Sequence, residues 1–196
     1  MMKIAAVIVC RKDSKRILNK SKQKIKDKNL IERKILQLKK VKLLNTIYLG
    51  TNDLSLKRLS TKHKITFIKR DEKYCNEHKT NAKEMVKNML SYVDADLILW
   101  AHPTNPFIDN FIYSDALNVF KRSLKKHDSL FSVNVLKNHF WDHKKKPINH
   151  NPFLKKHIIS KKLPPIYSQN GGIFIRFKKD MIKDGGFIGK RPIIFK

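Results

Sequence analysis

The sequence of 196 residues lacks several features that would assign it to a familiar class of protein. Its two cysteines, Cys10 and Cys75, are too few for a disulfide framework, so a reducing, cytoplasmic location is expected. No apolar run approaches the roughly 18–20 residues that span a bilayer, which argues against a membrane protein. The apolar start at 4–10 is short for a signal peptide, and a basic segment without a small-residue cleavage site follows it.

Common ligand-binding fingerprints are also missing. The sequence contains neither G-x-x-x-x-G-K-[ST] nor G-x-G-x-x-G, which argues against a P-loop and a dinucleotide site. His139 and His143 have a spacing that could bind zinc on a helix, but no third ligand accompanies them. Cys75 and His78 lack an acid that would orient them as a nucleophile and its base. These residues therefore identify no metal ligand and no covalent nucleophile.

Acidic residues are scarce, with 16 Asp and Glu against 44 Lys and Arg and a net charge of +28. Such a chain attracts polyanions, so nucleic acid has to be considered as a partner. Lysine outnumbers arginine by 36 to 8, however, and is spread along the whole chain. Arginine is the residue of bidentate phosphate and base recognition. We therefore attribute most of the charge to A/T-rich codon usage and expect no specific nucleic-acid partner, with a selected polyanion-binding surface as the alternative.

The spacing of apolar residues predicts strands that alternate with helices. Residues 3–10 and 95–100 are continuous apolar runs, typical of parallel strands covered on both faces. This alternation predicts a Rossmann-like α/β domain, with a mostly parallel sheet and helices on both faces. Further strands are predicted at 46–49, 65–68, 129–135, 170–177 and 193–195, and helices at 30–40, 53–63, 81–92 and 112–124.

Residues 137–165 differ in composition from the rest of the chain. They contain four prolines, the Phe140–Trp141 pair and three consecutive lysines at 144–146, with little apolar periodicity. This composition predicts an irregular arm that protrudes from the sheet. We therefore interpret residues 1–196 as a single domain with an arm at 137–165.

The loop after the first predicted strand concentrates positive charge. In open α/β sheets ligands bind beyond the carboxyl ends of the strands, so such loops are where a site is expected. This loop contains Arg11, Ser14, Lys15, Arg16 and Lys20. The set suits a triphosphate, because Arg and Lys neutralise oxygens and Ser offers a donor or a metal-facing oxygen. A solvated basic turn is the alternative, because lysine is abundant throughout.

A series of short motifs carries a resemblance to a known family. The first is VIVCRKDSKRILNK at 7–20, and the others follow in order: GTND at 50–53, KRDE at 69–72, AHPTNPF at 101–107, NHFW at 138–141, LP at 163–164, NGGIF at 170–174 and FI at 187–188. Together they resemble the acylneuraminate (CMP-N-acetylneuraminic acid) cytidylyltransferases, in which a strand runs into an A-R-x-x-S-K-x-x-x-x-K loop. The matches extend over residues 4–195.

The resemblance implies a fold of the nucleotide-diphospho-sugar transferase type and a reaction. A nonulosonic (sialic-acid-like) sugar would attack the α-phosphate of CTP, giving a CMP-sugar for polysaccharide synthesis and pyrophosphate. A legionaminic, pseudaminic or Kdo-type acid is the alternative sugar. The arm at 137–165 would contribute to a homodimer and to sugar binding.

The resemblance also implies roles for individual residues. His102 stands where the family has Gln, and Phe174 stands where it has Tyr. The implied roles are catalysis for Arg11 and Lys20, nucleotide binding for Arg11, Ser14, Lys20, Arg70 and Thr80, and sugar binding for His102, Asn170, Phe174 and Phe187.

The metal is the main departure from the family pattern. The resemblance implies Mg²⁺, which the family holds with a D-x-D motif beyond the strand that corresponds to 193–195. The sequence ends at Lys196, so we expect this metal-binding segment to be missing, and we assign no metal ligand. Asp13 and Asp53 are the nearest candidate acids. A catalytically impaired paralogue that binds nucleotide or polyanion without turnover is therefore the alternative function.

Overall fold

A computed structural model describes residues 2–12, 17, 19–76 and 78–196. The described residues form the strands β1 (Ile4–Val9), β2 (Lys24–Ile25), β3 (Lys28–Asn29), β4 (Thr46–Thr51), β5 (Thr66–Lys69), β6 (Leu97–Trp100), β7 (Ser129–Leu136), β8 (Ile166–Phe177) and β9 (Pro192–Phe195). They form the helices α1 (Leu30–Lys39), α2 (Lys57–His63), α3 (Ala82–Ser91), α4 (Asn110–Arg122) and α5 (Lys178–Asp184). No helix of these stretches is long and apolar enough to cross a bilayer.

Seven of the strands form one sheet in the order β5-β4-β1-β6-β8-β7-β9. Strands β5, β4, β1 and β6 pair in parallel, and β7 pairs in parallel with β9. Strand β8 lies between β6 and β7 and runs antiparallel to both. The prediction of a mostly parallel sheet is therefore confirmed, with one reversed strand inside it.

The side chains of β1 alternate between two cores, because successive residues of a strand point to opposite faces. Ile4, Ala6 and Ile8 belong to the core that α1 and α4 cover. Ala5 and Val7 belong to the core that α3 and α5 cover. Helices therefore lie on both faces of the sheet, and the continuous apolar run of β1 reflects burial on both sides.

Side-chain caps determine where three of the helices begin. Asn29, Asn81 and Asp109 each accept a hydrogen bond from the backbone N–H three residues later, at 2.8–3.0 Å. A cap of this kind satisfies one of the backbone donors that a helix start leaves unpaired. The helices α1, α3 and α4 consequently begin within two residues of the predicted positions.

The arm at 137–165 is the connection between β7 and β8. Within it, the structure describes a 3₁₀ turn at Ser160–Lys162 and an isolated bridge between Trp141 and Pro147. The Trp141 side chain is 51% exposed and that of Phe153 is 89% exposed. The arm therefore presents large apolar side chains on its surface.

Candidate active site

Two cavities lie side by side at the carboxyl end of β1. Val9, Cys10 and Arg11 line both of them. The first, of about 300 Å³, extends to residues that follow β5 and is called the β5-side cavity. The second, of about 240 Å³, extends to residues that follow β6 and is called the β6-side cavity. The carboxyl ends of parallel strands are where open α/β sheets bind ligands, so both cavities lie where a site is expected.

The β5-side cavity is enclosed by the segment that connects β5 to α3. Its other lining residues are Arg70, Tyr74, Cys75, Asn76, Thr80, Asn81, Ala82 and Met85. Its walls combine apolar side chains with amide, hydroxyl and guanidinium groups. Most ligand cavities have this character, with apolar walls for affinity and a few polar groups for orientation.

Arg70 supplies a buried positive charge to the β5-side cavity. Its side chain follows β5 directly and is only 5% exposed. One guanidinium nitrogen donates to the backbone carbonyl of Tyr74, but Nε has no hydrogen-bond partner among the described residues. Burial lowers the pKa of Arg70, although arginine stays charged in proteins. A buried cation is costly when it has no acidic partner, and the described residues supply none here, so this position is suited to receive an anionic ligand.

Arg11 forms part of the wall between the two cavities. Its Nη1 lies 3.5 Å from the carbonyl oxygen of Cys75, which orients the side chain toward the β5 side. The following residue, Lys12, donates its backbone N–H to Asn52 at 2.9 Å, and Asn52 in turn donates to Glu72 at 2.9 Å. These contacts tie the beginning of the basic loop to the ends of β4 and β5.

The β6-side cavity combines a cation from the basic loop with the segment after β6. Beyond the shared wall, its lining residues are Lys20, Ser21, His102, Pro103 and Thr104. Lys20 begins a 3₁₀ turn, and an ion pair of 2.6 Å between Lys22 and Asp53 anchors this turn beside β4. Burial raises the pKa of Asp53, but hydrogen bonds from Lys22 and Ser55 outweigh this effect and hold the pKa below its ordinary value.

The described residues do not fit a Mg²⁺ site. Mg²⁺ prefers carboxylate oxygens in octahedral geometry. The Asp53 carboxylate already accepts from Lys22 and from the hydroxyl and backbone N–H of Ser55. Within residues 2–12, 17, 19–76 and 78–196, no three His, Cys, Asp or Glu side chains are grouped to hold a metal. Asp13, the other candidate acid, lies outside the described residues.

His102 is packed between β8 and the β6-side cavity. Its Nδ1 lies 2.7 Å from the carbonyl oxygen of Gly171. Its ring meets Phe174 and Phe187 edge-on, at centroid distances of 6.0 and 6.4 Å. Burial lowers the pKa of His102, the contact with Gly171 opposes this change, and the charge of Lys20 adds to the lowering. His102 is therefore held as a neutral imidazole near neutral pH.

The structure brings most of the predicted site residues to these two cavities. Arg11, Arg70 and Thr80 line the β5-side cavity, and Arg11, Lys20 and His102 line the β6-side cavity. The Thr80 hydroxyl donates to Glu84 at 2.7 Å. Ser14 lies outside the described residues.

The other three predicted sugar-binding residues do not line either of the two cavities. Phe174 and Phe187 stack on each other at 4.8 Å and pack against His102. The Asn170 side chain accepts from Ser132 at 2.6 Å and donates to Asn134 at 3.0 Å, both on β7. These contacts join Asn170 to the β7–β8 pair, where the register shifts.

The helix α1 supports the loop that follows His102, a role that the sequence pattern did not reveal. Lys34 is fully buried and donates to the carbonyl oxygen of Asn105 at 2.9 Å and to the Tyr113 hydroxyl at 2.7 Å. Arg33 and Gln37 both donate to the carbonyl oxygen of Pro106. The loop that follows His102 is therefore attached to α1 by three side chains. Burial lowers the pKa of Lys34 to about 7.

A family model described as "Cytidylyltransferase" matches residues 5–170. No curated protein sequence matches the chain.

Solved structures with the same fold have low sequence identity to the chain. A CMP:2-keto-3-deoxy-manno-octonic acid synthetase complexed with CTP is 13% identical, with a TM-score of 0.64 over 92% of this chain and 76% of that one. A 4-diphosphocytidyl-2C-methyl-D-erythritol synthase from Anaerococcus prevotii is 13% identical, with a TM-score of 0.63 over 93% and 73%. A cytidylyltransferase from Leptospira borgpetersenii is 14% identical, with a TM-score of 0.62 over 93% and 63%. At these identities the likeness establishes the fold.

Proposed function

Because the chain belongs to the cytidylyltransferase family, we propose that it transfers a cytidylyl group from CTP to a nonulosonic, sialic-acid-like sugar. The single observation that carries this proposal is the arrangement of two cavities on either side of Arg11. Cytidylyl transfer needs a nucleotide and an acceptor to meet at one phosphorus atom. Two adjoining cavities with a cation in their common wall offer that geometry.

The two cavities take different parts of the reactants in this proposal. The β5-side cavity receives the cytidine, whose flat base suits walls formed by Val9, Ala82 and Met85. The triphosphate extends past Arg11 toward Lys20, where the two cations neutralise its oxygens. The acceptor enters the β6-side cavity beside His102. Catalysis of phosphoryl transfer depends mainly on such positioning and charge neutralisation.

The nature of the acceptor rests on the order of motifs along the chain. The motifs from residues 7–20 to 187–188 resemble those of the acylneuraminate cytidylyltransferases, whose acceptors are sugar acids. The structural neighbour that acts on 2-keto-3-deoxy-manno-octonic acid also takes a sugar acid and holds CTP in its crystal. We therefore expect a nonulosonic acid as the acceptor and a CMP-sugar as the product.

A turnover assay tests this proposal. The protein is incubated with CTP, MgCl₂ and N-acetylneuraminate, pyrophosphate release is followed, and the CMP-sugar is identified by mass spectrometry. We expect release that requires both CTP and a sugar acid, with ATP inactive. The matched control is Arg122→Ala, which removes an exposed arginine at the far end of α4 and leaves release unchanged. Absence of release with every nonulosonic acid contradicts the proposal.

A second candidate function is nucleotide binding without turnover. Two observations favour it: no carboxylate of the described residues lines either cavity, and the nearby Asp53 is already engaged by Lys22 and Ser55. In that case CTP raises the melting temperature of the protein, while pyrophosphate is not released with any acceptor. The two measurements together distinguish the candidates.

The arm supports a further part of the proposal, a homodimer. Trp141 and Phe153 are large, exposed apolar side chains on the arm at 137–165. A concentration of exposed large apolar side chains on one segment is the kind of surface that an interface covers. Light scattering should give the mass of two chains, and replacement of both residues with serine should give that of one.

A further inference from the structure

The chain holds His102 in a single tautomer. A carbonyl oxygen can only accept a hydrogen bond, so the contact of 2.7 Å between Nδ1 and the Gly171 oxygen places a proton on Nδ1. In the neutral ring, Nε2 then keeps a lone pair. Among the described residues no hydrogen-bond partner occupies Nε2, and the ring lines the β6-side cavity. The lone pair of Nε2 is therefore free to accept a proton or a hydrogen bond in the cavity where the sugar is expected.

Packing fixes the position of this ring. Phe174 and Phe187 meet it edge-on from one side and stack on each other. Gly171 has a φ of 68°, a left-handed conformation that favours glycine, and this turn presents its carbonyl to His102. The hydrogen bond and the aromatic contacts together orient the imidazole without any ligand.

The electrostatic surroundings of the ring are positive. Lys20 lines the same cavity and acts on His102 through its charge, and Arg11 forms the common wall. The residues that pack against the ring from β8 and from the segment after α5, namely Gly171, Phe174 and Phe187, carry no charge. This environment favours the neutral imidazole. A bound triphosphate would offset the positive charge and allow the ring to accept a proton during the reaction.

We propose, on the basis of the function above, that His102 is the general base that deprotonates the acceptor, and that the acceptor nucleophile is therefore a hydroxyl group. The O–H proton moves to Nε2 as the oxygen bonds to the α-phosphorus of CTP. The bond from that phosphorus to the oxygen bridging to the β-phosphate breaks, and pyrophosphate leaves with the electron pair. The imidazolium then returns its proton to water.

The same geometry disfavours a phosphate nucleophile. A phosphate oxygen is already ionised near neutral pH, so it needs no base. Its negative charge would also face the Nε2 lone pair, where a hydrogen-bond donor would be required. His102 thus selects between the two classes of acceptor that cytidylyl transfer can use.

Turnover with two classes of acceptor tests the proposal. Wild type and His102→Gln are assayed over a range of pH with CTP and N-acetylneuraminate or 3-deoxy-D-manno-octulosonate, and with glucose 1-phosphate as the phosphate acceptor. We expect turnover with a sugar acid only. We also expect kcat/KM to fall at low pH as His102 binds one proton and can no longer act as a base. His102→Gln should lower kcat by about 100-fold or more and remove the acid-side fall. The thermal shift with CTP should be unchanged.

A matched control separates this role from a structural one. His127 also contacts a backbone carbonyl, that of Arg191, through Nδ1 at 3.2 Å, but it precedes β7 and therefore lies at the opposite end of the strands from His102. His127→Gln should leave kcat and the pH profile as in wild type. In addition, ¹⁵N NMR of the imidazoles should show His102, identified by its loss in His102→Gln, with the proton on Nδ1.

The possible failures are distinguishable. Three results would each overturn the role of His102 as general base while leaving cytidylyl transfer intact. They are turnover with glucose 1-phosphate alone, a His102 ring protonated on Nε2, and a His102→Gln variant whose kcat lies within about threefold of wild type with an unchanged pH profile. Failure of the wild-type protein to turn over any acceptor overturns the proposed function, and the inference with it.

Discussion

The β5-side cavity takes its charge from a buried arginine at the end of a strand, whereas the β6-side cavity depends on a turn and a loop that other elements hold in place. Arg70 follows β5 directly and is enclosed by the segment before α3. Lys20 depends on the Lys22–Asp53 ion pair, and the loop after His102 depends on α1. The difference indicates that the β5-side cavity, the proposed nucleotide site, takes its charge from the end of a strand. The β6-side cavity, the proposed acceptor site, depends on tertiary contacts that can be altered singly.

The largest effect is expected at Arg11, which both cavities share. Arg11→Ala should remove a cation from the path of the triphosphate and lower kcat/KM by about 100-fold or more, because charge stabilisation in the transition state is lost. The thermal shift with CTP should also be strongly reduced. An unchanged thermal shift would contradict the prediction, because it would show that Arg11 does not contribute to CTP binding.

A second variant separates the cavities on the nucleotide side. Arg70→Met replaces a buried, partly unpaired cation with an apolar side chain of similar length, so CTP affinity should fall by about tenfold through loss of a charged contact. The melting temperature without CTP should change little, because the cost of burying the charge disappears together with its hydrogen bond. Calorimetric titration with CTP measures the first effect and thermal unfolding the second. Equal weakening of CTP and sugar-acid binding would contradict the separation.

A third variant tests the support of the acceptor side. Lys34→Met removes the donor to Asn105 and Tyr113, and leaving these buried acceptors unpaired should cost about 1–3 kcal/mol of unfolding free energy. The KM for the sugar acid should rise several-fold, while CTP affinity remains that of wild type. Lys39→Met, on the same helix and bonded to His63 instead, is the control. A rise in the KM for CTP would indicate that α1 supports both cavities.

The smallest effect is expected at Thr80. Its hydroxyl already donates to Glu84 at 2.7 Å, so Thr80→Val should reduce CTP affinity by less than about threefold, with a loss of stability of about 1 kcal/mol. Calorimetric titration measures the affinity. A larger loss would mean that the hydroxyl turns from Glu84 to the nucleotide.

The sequence allowed the parallel half of the sheet to be predicted more fully than the reversed half. β1 and β6 are buried on both faces, so their apolar runs are continuous and unambiguous. The direction of β8 could not be predicted, because an apolar pattern is the same whichever way a strand runs. Helix α5 was not predicted, because it has seven residues and buries only Met181 fully, so it shows no repeating apolar pattern. The β2–β3 hairpin has two residues in each strand, too few for a periodic signal.

The candidate site was predictable where chemistry is concentrated along the chain. Arg11 and His102 follow β1 and β6 directly, and Lys20 lies at the end of the loop after β1, so the rule for strand ends places them together. Lys34 was missed because lysine is ordinarily solvated. Its position between Ile31 and Leu38 on the apolar stripe of α1 is the signal that could have revealed it. The tautomer of His102 depends on the carbonyl of Gly171, which is 69 residues away and follows from the fold alone.

The buried amine of Lys34 also makes folding a proton-releasing event. Its pKa is about 7 in the folded chain against 10.5 when solvated, so above neutral pH the unfolded chain binds more protons and stability rises with pH. Cys10 acts in the opposite direction, because burial raises its pKa from 9.0 to about 11 and stability falls over that range. The opposite effects of Lys34 and Cys10 place the greatest stability of the fold in mildly alkaline solution. Lys34, which holds the loop after His102 from α1, thus couples the stability of the protein to the pH of its surroundings.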